Sequence, residues 1–139
     1  MKTWLVNTNS KEENNNPNAY QYMLRQNRVA AYYTRAHAID KIGVGDLVLL
    51  YHNDNRIIAV GAVVTAFKGH DFSDITDVEH SADVNWIWIA NFTDSNPTNP
   101  INRNTVGITM VNNTVVNVTD QIDYRVLFEE ISSKQKLFT

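Results

Sequence analysis

Hydrophobic and polar positions are most regularly ordered between residues 44 and 67, VGDLVLLYHNDNRIIAVGAVVTAF. Leu47, Leu49 and Tyr51 share one face of a strand and Val48, Leu50 and His52 the other. Both faces are apolar until the strand's end, the pattern of a strand buried on both sides or closed into a barrel. Asn53, Asp54 and Asn55 supply turn residues, and Arg56 to Phe67 returns as a long strand in which Gly61 marks a bulge or bend. Two more segments keep the period of two. Residues 3–8 set Trp4 and Val6 against Leu5 and Asn7, and Val84, Trp86, Trp88, Ala90 and Phe92 alternate with Asn85, Ile87, Ile89 and Asn91. Helical spacing occupies three places. Asn16 and Pro17 form a helix start ahead of Ala19, Tyr20, Met23 and Leu24. YTRAHAIDKIGVGD predicts a short helix with Ala36 and Ile39 inward and its stop at Gly43. Thr119 or Asp120 caps a third helix carrying Tyr124, Leu127, Phe128 and Ile131. SNPTNPIN is a loop, while 105–118 reads as two short strands around Asn112 and Asn113, the first also compatible with a helical turn. The sum is one α+β domain over 1–139, its mostly antiparallel sheet curling into a β-barrel flanked by short helices.

Composition narrows the chemistry. With 139 residues the chain can close a core of its own. The absence of cysteine excludes disulfide scaffolds, thiolate nucleophiles and iron–sulfur ligation. The N-terminus turns polar after six residues and no apolar run approaches membrane-spanning length, so a cytoplasmic chain without membrane association is expected. The net charge of -3 is unevenly spread, since 69–83 holds four Asp and one Glu with no Lys or Arg. The remainder is mildly basic, and Arg25, Arg28 and Arg35, interleaved with Tyr32 and Tyr33, are the candidate phosphate contacts.

No glycine-rich phosphate loop, Gly-x-Ser-x-Gly elbow or His-Glu-x-x-His pair occurs, so no catalytic residue or cofactor is assigned and a non-enzymatic role is expected. His70, Asp71, Asp74, Asp77, Glu79 and His80 have the chemistry of divalent-cation ligands, but their spacing matches no calcium loop. The segment reads as a solvated acidic loop and no metal is assigned; a metal-dependent hydrolase using it is the enzymatic alternative. Trp4, Tyr32, Tyr33, Tyr51, Trp86 and Trp88 stand near Asn7, Thr8, Asn9, His52 and Asn53. Such rings either fill a core or wall a pocket in which amides and hydroxyls read the edge of a planar ligand.

The order TWLVNT, RVAAYYTRAHAIDKI, GVGDLVLLYHN, IIAVGAVVTAF and VNWIWIANF resembles the EVE domain, a relative of the YTH domain within the PUA-like superfamily. The resemblance covers Trp4 to Ile101 and is most specific at Gly45-Asp46-Leu47-Val48 through Tyr51-His52 and Gly61. It implies a PUA-like barrel and recognition of a modified base flipped out of DNA or RNA, modified cytosine for EVE domains and methylated adenine for YTH domains. By position it implies a ligand pocket of Asn7, Thr8, Asn9, Tyr32, Tyr33, Tyr51, His52, Trp86 and Trp88. Two departures stand out. The family's Lys-Ser/Thr-Glu-Pro is replaced by Asn7-Thr8-Asn9-Ser10, and the Trp-containing segment before the arginine is missing, with Tyr20 and Tyr22 the nearest aromatics. The expected partners are modified DNA or RNA and a protein of a defence or modification system; the non-polymer alternative is a small-molecule or nucleoside-derivative binder.

Overall fold

The structure is a computed structural model that describes residues 1–8, 19–52, 56–70, 78–109, 111 and 113–135, with 68–70 described by backbone alone. Its elements are β1 (Thr3–Asn7), α1 (Ala19–Gln26), β2 (Arg28–Tyr32), a 3₁₀ helix (Tyr33–Lys41), β3 (Leu47–Tyr51), β4 (Arg56–His70), β5 (Glu79–Ile89), β6 (Phe92–Thr93), β7 (Asn96–Pro97), β8 (Ile101–Asn102), β9 (Val115–Asn117) and α2 (Tyr124–Gln135). Seven strands form one sheet in the order β2-β5-β4-β3-β1-β9, with β8 on β4. Every ladder is antiparallel except β1 with β3. The fold is thus mixed α+β. Among the described residues no ladder joins β2 to β9.

Strands β3 and β4 form because β-branched and other large apolar residues suit a pleated surface covered on both sides. Val48, Leu49, Leu50, Ile57, Ile58, Ala59 and Val60 are all fully buried. β4 is long enough to need bending, and register shifts at Val60/Gly61, Val63/Thr65 and Thr65/Lys68 supply it. Gly61 has a second reason to lack a side chain. A Cβ there would lie 2.9 Å from Cε3 of Trp86 and 3.0 Å from the carbonyl of Asn85. Gly61→Val is therefore expected to cost about 1–3 kcal/mol and to shift the emission of the displaced Trp86 indole. Urea unfolding followed by tryptophan fluorescence reads both; an unchanged midpoint and spectrum would contradict this close approach.

The segment after β2 winds as a 3₁₀ helix, and its sequence shows why. Three residues per turn bring positions three apart into line, and Ala36, Ile39 and Ile42 are then stacked and buried. The turn that follows uses Gly45, at φ +87, as its left-handed residue rather than Gly43. Asn27, at φ +54, takes the left-handed position after α1. At α2 the cap is Asp123, whose Oδ1 accepts the N–H of Val126 at 3.2 Å, not Thr119 or Asp120; Leu127 and Ile131 face the core while Phe128 stays exposed.

Several sequence expectations change. β2 was read as part of no strand, yet Arg28 to Tyr32 pairs residue for residue with β5 from Asp83 back to Glu79. The acidic segment is not all solvated loop: its ends belong to β4 and β5, and Glu79, His80 and Ser81 are buried. Asp71, Asp74 and Asp77 lie outside the described residues. Among the described residues of 105–118 only Val115–Asn117 is strand; the chain turns at 103–107.

Candidate functional site

Two groups of polar and aromatic side chains are built where strands end. The first closes the shared end of β1 and β3. Asn7 pairs with Tyr51 in the parallel ladder, and the Thr8 N–H donates to the Tyr51 carbonyl at 2.8 Å. The Thr8 hydroxyl also donates to that carbonyl, at 2.9 Å, and lies 2.9 Å from Nδ1 of His52. A hydroxyl has one proton, so here it accepts from His52, which puts an imidazole proton on Nδ1. Tyr20 packs on this imidazole at a 35° tilt with centroids 4.1 Å apart, the Phe92 ring stacks on Tyr20 with centroids 6.0 Å apart, and the Tyr20 hydroxyl donates to the Ser95 carbonyl. The structure thus brings Asn7, Thr8, Tyr51 and His52 together, as the sequence suggested, and adds Tyr20 and Phe92. Asn9 lies outside the described residues.

The second group lies between α1, β2 and β5. Tyr32 and Glu79 are direct ladder partners, and Arg28 stands on the same strand as Tyr32. The Arg28 guanidinium reaches the Tyr22 hydroxyl at 3.3 Å and Oε2 of Glu79 at 3.6 Å, with its centre 5.7 Å from the Tyr22 ring. Glu79 is entirely buried. Tyr32 is 5% exposed, and neither its hydroxyl nor Nε of Arg28 has a hydrogen-bond partner among the described residues. Burial, and next to it the Glu79 carboxylate, push the Tyr32 phenol far above its ordinary value, so it stays neutral and able to donate. The next residue, Tyr33, holds φ +52, a left-handed conformation that costs a bulky side chain about 1–3 kcal/mol. Because the buried Tyr32 hydroxyl has no hydrogen-bond partner among the described residues, Tyr32→Phe is expected to leave stability unchanged or raise it by up to about 1 kcal/mol. Denaturant titration checks this, and a clear loss would mean that the hydroxyl is engaged.

The two tryptophans of β5 belong to different rows of the sheet. Trp86 pairs with Gly61 and Trp88 with Val60, adjacent residues of β4, because Ile87 is bulged out of the ladder. Adjacent strand residues point to opposite faces. Trp86 therefore joins the row Trp4, Val48 and Gly61 on one face, while Trp88 aligns with Leu5 and Leu49 on the other. Trp88 is buried, whereas Trp86 is half-buried and its Nε1 has no hydrogen-bond partner among the described residues. Residues 86–89 also form one wall of an open groove of about 320 Å³ beside Lys134 and Gln135.

Among the arginines, Arg28 is turned inward, while Arg25, in the last turn of α1, and Arg35 are exposed; Arg35 donates to the Thr114 hydroxyl at 3.1 Å. A third cluster was not assembled by sequence reasoning. Asp40 bridges His37, at 3.1 Å, and His80, at 2.7 Å. Burial alone would raise the Asp40 carboxyl, but hydrogen bonds from His80 and then His37 outweigh it and hold the group below the ordinary carboxylate range.

No protein-family model matches the chain and no curated protein matches its sequence. Solved structures do share its architecture. The YTH domain of the Zygosaccharomyces rouxii MRB1 protein, solved in complex with N6-methyladenosine RNA, superposes with a TM-score of 0.54 at 12% identity, covering 99% of this chain and 86% of the other. Rpa0253 from Rhodopseudomonas palustris, solved by NMR, superposes with a TM-score of 0.52 at 12% identity, over 96% and 94% of the two chains. The chain has a YTH-like fold.

Proposed function

We propose that this protein is a non-enzymatic module that holds one modified nucleobase of a nucleic acid, taken out of its stack, against the aromatic and polar groups at the strand ends. The observation that carries this reading is the likeness in fold, over nearly the whole chain, to a YTH domain solved with N6-methyladenosine RNA. The local chemistry agrees with it. The hydroxyl of Tyr32, Nε of Arg28 and Nε1 of Trp86 are buried polar atoms without hydrogen-bond partners among the described residues. Each such group left unmade costs about 1–3 kcal/mol, and a ligand edge that satisfied one would recover that cost on binding. Stacking on a ring adds about 1–3 kcal/mol per base. Arg25 and Arg35, exposed, suit phosphate contacts that set register without reading sequence. In this reading the chain is an EVE-type member of the PUA-like superfamily, its sheet closes as a barrel, it acts in the cytoplasm, and its partners are modified DNA or RNA.

The test sets free nucleosides against polymer. N6-methyladenosine and modified cytidines are titrated as nucleosides and within short oligonucleotides. Tighter binding of the oligonucleotide, weakened about tenfold in Tyr32→Phe without loss of stability, supports the reading. Binding of the nucleoside as tightly as the oligonucleotide would instead make the protein a small-molecule binder.

A further inference from the structure

We propose that His37, Asp40 and His80 form a site for a divalent transition-metal ion of the zinc, cobalt and nickel class, bound through one imidazole nitrogen of each histidine and one carboxylate oxygen. Their ligand-capable atoms all lie within 4.8 Å of one another, so a small movement of the exposed His37 side chain brings them to the separation of roughly 3.3–3.6 Å that bonds of about 2.0–2.2 Å impose around a tetrahedral ion. The fold builds the arrangement from two directions. On the 3₁₀ helix, residues three apart stand in line, so His37 and Asp40 are stacked on one side of it and paired at 3.1 Å. His80 comes from β5, fixed by ladders to β2 and β4 and by the Phe67 ring 4.6 Å away. The two imidazoles meet edge to face at 4.4 Å.

Donor chemistry selects the ion. Two imidazoles and one carboxylate suit zinc, cobalt or nickel, whereas magnesium and calcium require oxygen ligands. Without an ion, one oxygen of Asp40 meets Nδ1 of His80 and the other meets Nδ1 of His37. An ion takes the place of the protons between these pairs, each neutral imidazole then carrying its proton on Nε2. The His37 side chain is 81% exposed and Asp40 34%, which leaves the solvent side for the remaining coordination positions, while His80, at 10%, is the rigid anchor. Bound metal would pin the 3₁₀ helix to the sheet. His80 and Glu79 are consecutive in β5 and point to opposite faces, so this site is separate from the Tyr32 and Arg28 group and does not depend on the reading of it.

The experiment is zinc titration of chelator-treated protein, by calorimetry and thermal unfolding, with magnesium as the comparison. One zinc per chain, a raised melting midpoint, no response to magnesium and a visible absorption band of tetrahedral type on adding Co²⁺ are expected. His37→Ala, chosen because that side chain is exposed, should weaken zinc binding at least tenfold while leaving the midpoint in chelator unchanged; Asp40→Asn should weaken it similarly. Absence of zinc binding, or zinc affinity that survives both substitutions, overturns the site. Affinity that survives His37→Ala and is lost in His70→Ala overturns it too.

Discussion

Arg28→Met is expected to remove about 3–5 kcal/mol of folding stability, the penalty for breaking a buried ion pair by deleting one partner. Glu79 is fully buried and its carboxylate lies 3.6 Å from the guanidinium, which is itself 25% exposed. Met fills the space of the arginine stem but removes the guanidinium that faces the buried carboxylate. The loss arises from the broken pair rather than from packing, which gives one further signature. Replacing both residues by apolar ones, Arg28→Met with Glu79→Leu, should restore most of the stability. Urea titrations of the single and double variants decide it. A single-variant loss under about 1 kcal/mol at pH 8 would show that the pair is not held as described.

Asp46→Ala is expected to cost about 3 kcal/mol, because one side chain organises three separate segments through hydrogen bonds to a charged acceptor, each worth about 1.5–3 kcal/mol and not additive. Its Oδ1 accepts the N–H of Lys2 at 3.0 Å, and its Oδ2 accepts the indole N–H of Trp4 at 2.8 Å and the N–H of Gly43 at 2.9 Å. Together these tie the start of β1, the sole parallel partner of β3 among the described residues, to the turn that opens β3. Burial opposes ionisation of Asp46, but the Lys2, Trp4 and Gly43 donors, with the N-terminal charge, more than offset it and hold the carboxyl below its ordinary value of 3.8. A folded value below the unfolded one means that the stabilisation is complete above the unfolded value and is lost as pH falls through the folded one. Wild type and Asp46→Ala should therefore differ most near neutrality and converge in acid, as thermal unfolding across pH 2.5–7 (about the range of that transition) will show. Parallel pH profiles would contradict the bonding described.

The sequence made the double-sided strands legible because Leu47 to Leu50 and Ile57 to Val64 carry the apolar residues that bury both faces of a sheet. It also located the polar strand end at Thr8, Tyr51 and His52, though not Tyr20, whose ring reaches His52 from 32 positions away. The motif around Gly45 and Asp46 proved to be structural: its aspartate holds the chain's start. Three things were hidden for physical reasons. Arg28 to Tyr32 has the composition of either helix or strand, and only its pairing with β5 decides between them. Glu79 and His80 looked solvated because their partners, Arg28 and Asp40, are about 40–50 positions earlier in the chain and charge alone does not announce burial. Alternation placed Trp86 and Trp88 on one face, and a single bulged residue, Ile87, separates them. The phenol of Tyr32 entered the sequence reading as an aromatic wall, but the structure presents it as a buried donor.

The central claim is that the strand-end groups read a modified base within a nucleic acid. The most direct test is a titration of matched short oligoribonucleotides that differ only by N6-methylation of one adenine, with a parallel pair for modified cytosine. The account predicts that at least one modified strand binds about tenfold or more tighter than its unmodified match, a difference of about 1.4 kcal/mol. It also predicts that Tyr32→Phe or Trp86→Ala removes that preference while retaining the salt-dependent affinity for the unmodified strand. Equal affinity for modified and unmodified strands in both pairs, or a preference that survives both substitutions, would contradict it.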